Sequence, residues 1–213
     1  FLIYQVVWVR MLVLVFGTSV FAVSTVLGAF MAGLALGSVC FGRLVDVKGK
    51  ELRLYGLLEL GIAAFALAFP VLLAGLDDVY TFLYQNLGGA GFAFSLLRFL
   101  LNFIVLLIPT TLMGATLPVL SKYLVGHLQE LGEDVGRLYA VNTLGAAIGA
   151  LIAAFVLIEY LGVSKTTYLA GGLNALIAVI ALRWSSRGTE SSGSAVAVEN
   201  GEAVQVARPL VWM

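Results

Sequence analysis

The chain has 213 residues, of which 61% are hydrophobic and 11% charged, with 12 basic residues set against 12 acidic ones. A soluble domain is roughly half apolar and about a quarter charged, so this balance, with a mean hydropathy of +1.04, excludes an ordinary water-soluble fold and points to an integral membrane protein in a lipid bilayer. Zero net charge gives no general pull toward nucleic acid, and no nucleic-acid partner is expected.

A membrane helix needs about 20 mostly apolar residues. By that rule six spans are predicted, at about residues 1–16, 20–44, 54–76, 92–124, 138–161 and 167–182. The opening run lacks a basic flank and is long enough for most of a span, so a cleaved signal peptide explains it poorly. Its helix is expected to begin upstream of Phe1. Residues 1–183 are thus read as an all-α, polytopic six-helix transmembrane domain. Residues 184–213, rich in Ser, Gly, Glu and Ala without periodicity, are read as a flexible cytoplasmic tail or linker. The run from Arg208 to Met213 turns apolar again, either as the start of a further segment or as a sticky end.

Basic residues in short loops stay in the cytoplasm. Arg43, Lys48, Lys50 and Arg53 follow the second span, Lys122 and Arg137 flank the loop after the fourth, and Arg183 and Arg187 follow the sixth. Only Lys165 lies clearly in a loop on the other side. Both termini are therefore expected in the cytoplasm.

Between the third and fourth spans, Asp77 and Asp78 precede a stretch holding Tyr80, Phe82 and Tyr84. Acidic residues suit a helix start and tyrosines the headgroup level, so a short helix on the outer membrane surface is expected. The run from Gly88 to Gly91 reads as a flexible turn, because no strand precedes it as a phosphate cradle requires. The single Cys40 has no partner for an intrachain disulfide. His127 lies in a polar loop and reads as solvated, and no metal or cofactor is expected.

Helices associate in lipid where small residues let backbones approach. Gly145, Gly149 and Ala153 recur at every fourth position of the fifth span, and Ala29, Gly33 and Gly37 do so in the second; both rows are read as packing seams. Pro109 and Pro118 remove helix hydrogen bonds from the fourth span, where a kink is expected. Ionisable groups inside spans usually face a partner or water, since a buried charge costs roughly 2.5 to 3.5 kcal/mol on insertion scales. Arg10, Glu59, Arg98 and Glu159 are such groups. Glu159 could bridge to Arg98 or Arg10 on the outer side, and Glu59 could snorkel or pair with a cytoplasmic base. With Gln5, Asn102, Asn142 and Asn174 they either line a polar cavity or act as isolated clamps between helices.

The cytoplasmic loop Gly42-Arg43-Leu44-Val45-Asp46-Val47-Lys48-Gly49-Lys50 resembles the loop signature of the major facilitator superfamily, with Val47 where that family has a base. Six spans with both ends inside resemble one half of such a transporter. In that superfamily the loop is a cytoplasmic latch; here Asp46 is expected to pair within its own loop or with the loop around Arg137. A second resemblance covers most of residues 1–183. The segment from Leu2 to Arg10, Ala29 to Ser38 with Gly33 and Gly37, Pro109 to Pro118, and Gly136 to Gly145 with Asn142 look like the membrane part of bacterial proteins fused to a spermidine-synthase-like domain.

That resemblance implies a bacterial cytoplasmic-membrane protein and a partner domain of aminopropyltransferase type. No glycine-rich nucleotide-binding turn or catalytic constellation accompanies it in these residues, so the chain itself is expected to be non-catalytic. Three functions remain in view. The chain is a membrane module that anchors a polyamine-related partner domain or serves its substrate passage, one half of a small-molecule transporter whose second half lies elsewhere, or a non-catalytic subunit of a larger membrane complex.

Overall fold

The computed structural model describes the backbone of residues 1–17, 19–48, 50–86, 91–125 and 131–199, and the side chains of residues 1–17, 20–43, 50–85, 91–124 and 136–186. The described elements are helical: α1 (Leu2–Phe16), α2 (Ser19–Lys48), α3 (Glu51–Asn86), α4 (Phe92–Val125), α5 (Leu131–Ile152), a π-helical turn (Ala153–Leu157) and α6 (Ile158–Glu199).

Two glycines shape the path. Gly17 closes α1 in the left-handed region (φ 72°), where its N–H donates to the Val13 carbonyl at 2.9 Å. Gly162, at φ 78° and ψ 169°, breaks the helical backbone just after the π-turn. A side chain at either position would be strained.

Four segments are long and apolar enough to cross a membrane: Val20–Arg43, Glu51–Gln85, Phe92–Leu124 and Gly136–Ser186. The count differs from the six predicted spans for two reasons. The apolar helix α1 has only 15 residues, about 22 Å at 1.5 Å per residue, short of a hydrocarbon core of about 30 Å. The run Gly136–Ser186 contains both the fifth and sixth predicted spans in 51 residues. Straight, it would reach about 76 Å, more than twice that thickness, so the break at Gly162 is where it can turn.

The expected short helix after Asp77-Asp78 is not a separate element. α3 runs unbroken for 36 residues from Glu51 to Asn86, with Pro70 inside it. Two aspartates end the apolar run without ending the helix, since Asp costs only tenths of a kcal/mol in a helix interior. At the other end of the chain α6 continues past residue 183 to Glu199. Residues 200–213, and the side chains of 187–199, lie outside the described part.

The core is centred on Trp8 of α1, fully buried. Its ring stacks on Tyr4 (5.4 Å between centroids) and meets Phe30 of α2 and Phe65 and Phe69 of α3 at 5.8, 6.0 and 5.1 Å. α1 is the shortest helix yet the one with Tyr4, Val7, Trp8 and Leu12 all sealed from outside. The most extensive helix pairs are α2 with α4 and α3 with α6.

Gly33 and Gly37 form the α2–α4 seam. A Cβ at Gly33 would collide with the Thr110 side chain, and one at Gly37 with the Thr111 carbonyl; Gly114 of α4 answers from the other side, where a Cβ would lie 2.5 Å from the Leu34 carbonyl oxygen. This close approach brings the Thr110 hydroxyl within 3.0 Å of the Ala29 carbonyl across the seam and 2.7 Å of the Leu106 carbonyl on its own helix. With one hydrogen it donates to either in turn. Pro109 and Pro118 both lie inside the continuous α4.

Candidate functional site: a cavity beside Glu59

Glu59 stands on α3 with its side chain 2% exposed. One turn earlier on the same face, Tyr55 gives its hydroxyl to the carboxylate; residues four apart in a helix are neighbours, which makes the pair local. The second carboxylate oxygen, Oε2, is buried and has no partner among the described residues. The Tyr4 hydroxyl, within electrostatic reach of Glu59, is likewise buried without a partner.

Both Glu59 and Tyr55 open onto a cavity of about 590 Å³. Phe30 and Leu34 of α2 form part of its wall, Tyr139, Asn142, Gly145 and Gly149 of α5 another part, and Asn174 and Ile177 of α6 a third. The Nδ2 atom of Asn174 is buried without a partner. Gly145 has no atom within 4 Å of where a Cβ would sit, and at Gly149 the first contact would be the tip of Ile3, 3.4 Å away. Their missing side chains leave room in the cavity. All these polar positions lie within about three helical turns of Arg43, Arg53, Arg137 or Arg183 along their own helices, which places the cavity at the basic-loop end of the bundle.

The other predicted polar residues are distributed elsewhere. Arg98 of α4 is surrounded by rings: its guanidinium carbon lies 5.4, 5.3 and 5.5 Å from the ring centroids of Phe16, Tyr80 and Phe94, within cation–π range. Asn102, one turn on, donates to the Tyr80 hydroxyl at 2.6 Å and to the Arg98 carbonyl at 2.8 Å. Gln5 and Arg10 share a shallow groove of about 370 Å³ with Val6, Val9 and Ala150. Glu159 is exposed, just before the Gly162 break. Rings thus stand around Arg98, and Tyr55 donates to Glu59, with the Phe1 α-amino group also within electrostatic reach of the carboxylate.

In the loop motif, Gly42 has open space about its Cβ position and Arg43 and Lys50 are exposed. The Asp46 and Lys48 side chains, Gly49 and His127 lie outside the described residues, as does the predicted pairing of Asp46. Among the described residues no three His, Cys, Asp or Glu side chains converge as metal ligands.

Sequence reading singled out Glu59 and Asn142 but passed over Tyr55 and Tyr139. The Tyr55–Glu59 spacing of one helical turn was the available signal. Tyr80 resembled a membrane-interface tyrosine, and nothing in its neighbourhood along the chain points to Asn102.

No family model matches the chain, and no solved structure matches it. Among curated proteins it is similar to polyamine aminopropyltransferase 2 of Streptomyces coelicolor (strain ATCC BAA-471 / A3(2) / M145), at 29% identity over 177 residues. The aligned part is 83% of this chain, and the chain spans about 30% of that relative's length. This helical, membrane-compatible chain is therefore distantly related in sequence to a polyamine aminopropyltransferase.

Proposed function

We propose that the chain is a six-span membrane module of a spermidine-synthase-like protein, built like one half of a major facilitator bundle, which holds an aminopropyltransferase-type domain at the cytoplasmic membrane. The observation that carries this is the pattern of similarity: nearly the whole of an apolar helical chain aligns with less than a third of a much longer aminopropyltransferase. Support for six crossings comes from α1, whose centre is the most enclosed part of the bundle, and from the break at Gly162, which divides the last 51-residue apolar run. Catalysis then belongs to the partner domain, and the bundle supplies attachment.

Affinity purification of the tagged protein from gently solubilised membranes tests this. An aminopropyltransferase-type domain, fused or bound, is expected in the purified material. Its absence there, with membrane helices of another protein in its place, would instead favour the subunit reading. Transport is the second reading, and the cavity beside Glu59 favours it: unpartnered polar atoms at the end of a helical bundle are what a passage for solute requires. A six-span half needs a second half to alternate access, so that reading predicts flux in reconstituted vesicles only from a dimer or a two-half assembly.

A further inference from the structure

We infer that Arg98 and Ser95 form a binding site for the phosphate group of an anionic membrane lipid, at the end of the bundle away from the basic loops. Arg98 supplies the cation. The rings of Phe16, Tyr80 and Phe94 stand around its guanidinium, and ring faces attract a cation without neutralising it or accepting its in-plane N–H fork. Its Nε is buried without a partner, and among the described residues no carboxylate bridges to it. α4 has no acidic residue in its first turn, Asp77 of α3 opens onto a groove lined by Met11, Leu14 and Pro70, and Glu159 is exposed on α6. A charge on a membrane helix needs a partner or water, and a phosphate matches a guanidinium through two parallel N–H···O bonds.

The level of the guanidinium selects a lipid as the source of that phosphate. α3 and α4 have 36 and 34 residues, about 54 and about 51 Å at 1.5 Å per residue, against a hydrocarbon core of about 30 Å. Centred in a bilayer, each extends roughly 10 Å past the core at either end. Arg98 is six residues from the start of α4, about 9 Å along the axis. Long helical side chains lean toward the helix N-terminus, and the contact with Phe94, one turn back, shows that this one does. The guanidinium therefore stands about 5 Å beyond the hydrocarbon core, in the headgroup layer where lipid phosphates lie. Ser95, three residues before Arg98 and so on the same face, is exposed at that level and adds a hydroxyl donor. Phosphatidylglycerol, whose headgroup carries no ammonium, presents its phosphate without a counter-charge of its own.

The inference needs the bundle to stand in a bilayer and does not need the partner domain, so either can fail alone. The test is native mass spectrometry of the purified full chain released from detergent micelles, titrated with phosphatidylglycerol, diacylglycerol and inorganic phosphate. The wild type is expected to retain one phosphatidylglycerol more than Arg98→Met, with an affinity at that site at least about tenfold above the variant's. Lipids held at the basic loops are common to both proteins and cancel. Ser95→Asp puts a carboxylate one turn from the guanidinium, at an exposed position near the helix start where Asp is tolerated. It should remove the same lipid, and it decides the matter if Arg98→Met fails to fold. Diacylglycerol, which lacks the phosphate, should be retained equally by all three proteins. Equal phosphatidylglycerol retention in the wild type and either folded variant, an equal dependence of diacylglycerol on Arg98, or release of the lipid by inorganic phosphate, which marks a site for a free anion, would overturn the inference.

Discussion

The side-chain amide of Asn102 on α4 donates to the hydroxyl of Tyr80 on α3 at 2.6 Å, tying two long helices together. Tyr80 in turn lends its ring face to Arg98. A single tyrosine thus closes a hydrogen bond with one edge and a cation–π contact with its face.

Tyr80→Phe keeps the ring and deletes the hydroxyl. Hydrogen bonds between membrane helices average about 0.6 kcal/mol and reach about 1.7. A loss of stability in that range is expected in denaturant titrations in mixed micelles. A double-mutant cycle with Asn102→Ala should assign most of it to the pair; a coupling near zero would show that the bond contributes nothing.

Arg98→Met preserves the apolar stem and removes the cation from among Phe16, Tyr80 and Phe94. Cation–π contacts are worth about 0.5 to 2 kcal/mol according to desolvation, and Arg98 is half-buried. A destabilisation of about 1 kcal/mol is expected. Phe94→Leu in the Arg98→Met background should then cost less than in the wild type, since the cation it faces is already gone.

Small residues separate into two kinds. Gly33→Ala and Gly37→Ala push a methyl into Thr110 and into the α4 backbone, and overpacking of this kind costs roughly 1 to 3 kcal/mol. Gly145→Ala meets nothing, and alanine is the better helix former by up to about 1 kcal/mol. Thermal unfolding should therefore fall for the first two and hold or rise for the third.

Much of the helical plan was legible. Helix α4 begins at Phe92 as the apolar run does, and α2 covers the predicted second span with one extra turn. The end of α3 was not legible, because Asp77-Asp78 ends the hydropathy signal while the helix goes on to a tyrosine that Asn102 anchors from a distance in sequence. Spacing of every fourth residue identified both glycine rows, yet that period is the same whether the row meets another helix, as at Gly33, or borders an empty space, as at Gly145. Charge was a misleading guide to Arg98. Its neighbours are rings, which hydropathy counts as ordinary membrane residues.

Orientation has its own test. In a Cys40→Ala background, Lys50→Cys places a thiol just before the start of α3 and Tyr84→Cys one near its end, both exposed in the fold. A membrane-impermeant maleimide is expected to label position 50 only from the cytoplasmic side and position 84 only from outside, by the distribution of basic residues.

The central claim is that the end of the bundle bearing the basic loops holds, beside Glu59, an open space that water reaches. Asn142→Cys, again without Cys40, tests it most directly, with Ile148→Cys as the control at an exposed apolar position of the same helix outside the cavity lining. Impermeant maleimide should label position 142 in inside-out vesicles and not in right-side-out ones, leave position 148 unmodified in both, and be slowed at 142 by Gly145→Leu. Labelling of 142 from the outer side, or equal silence at 142 and 148 from both sides, would contradict the account.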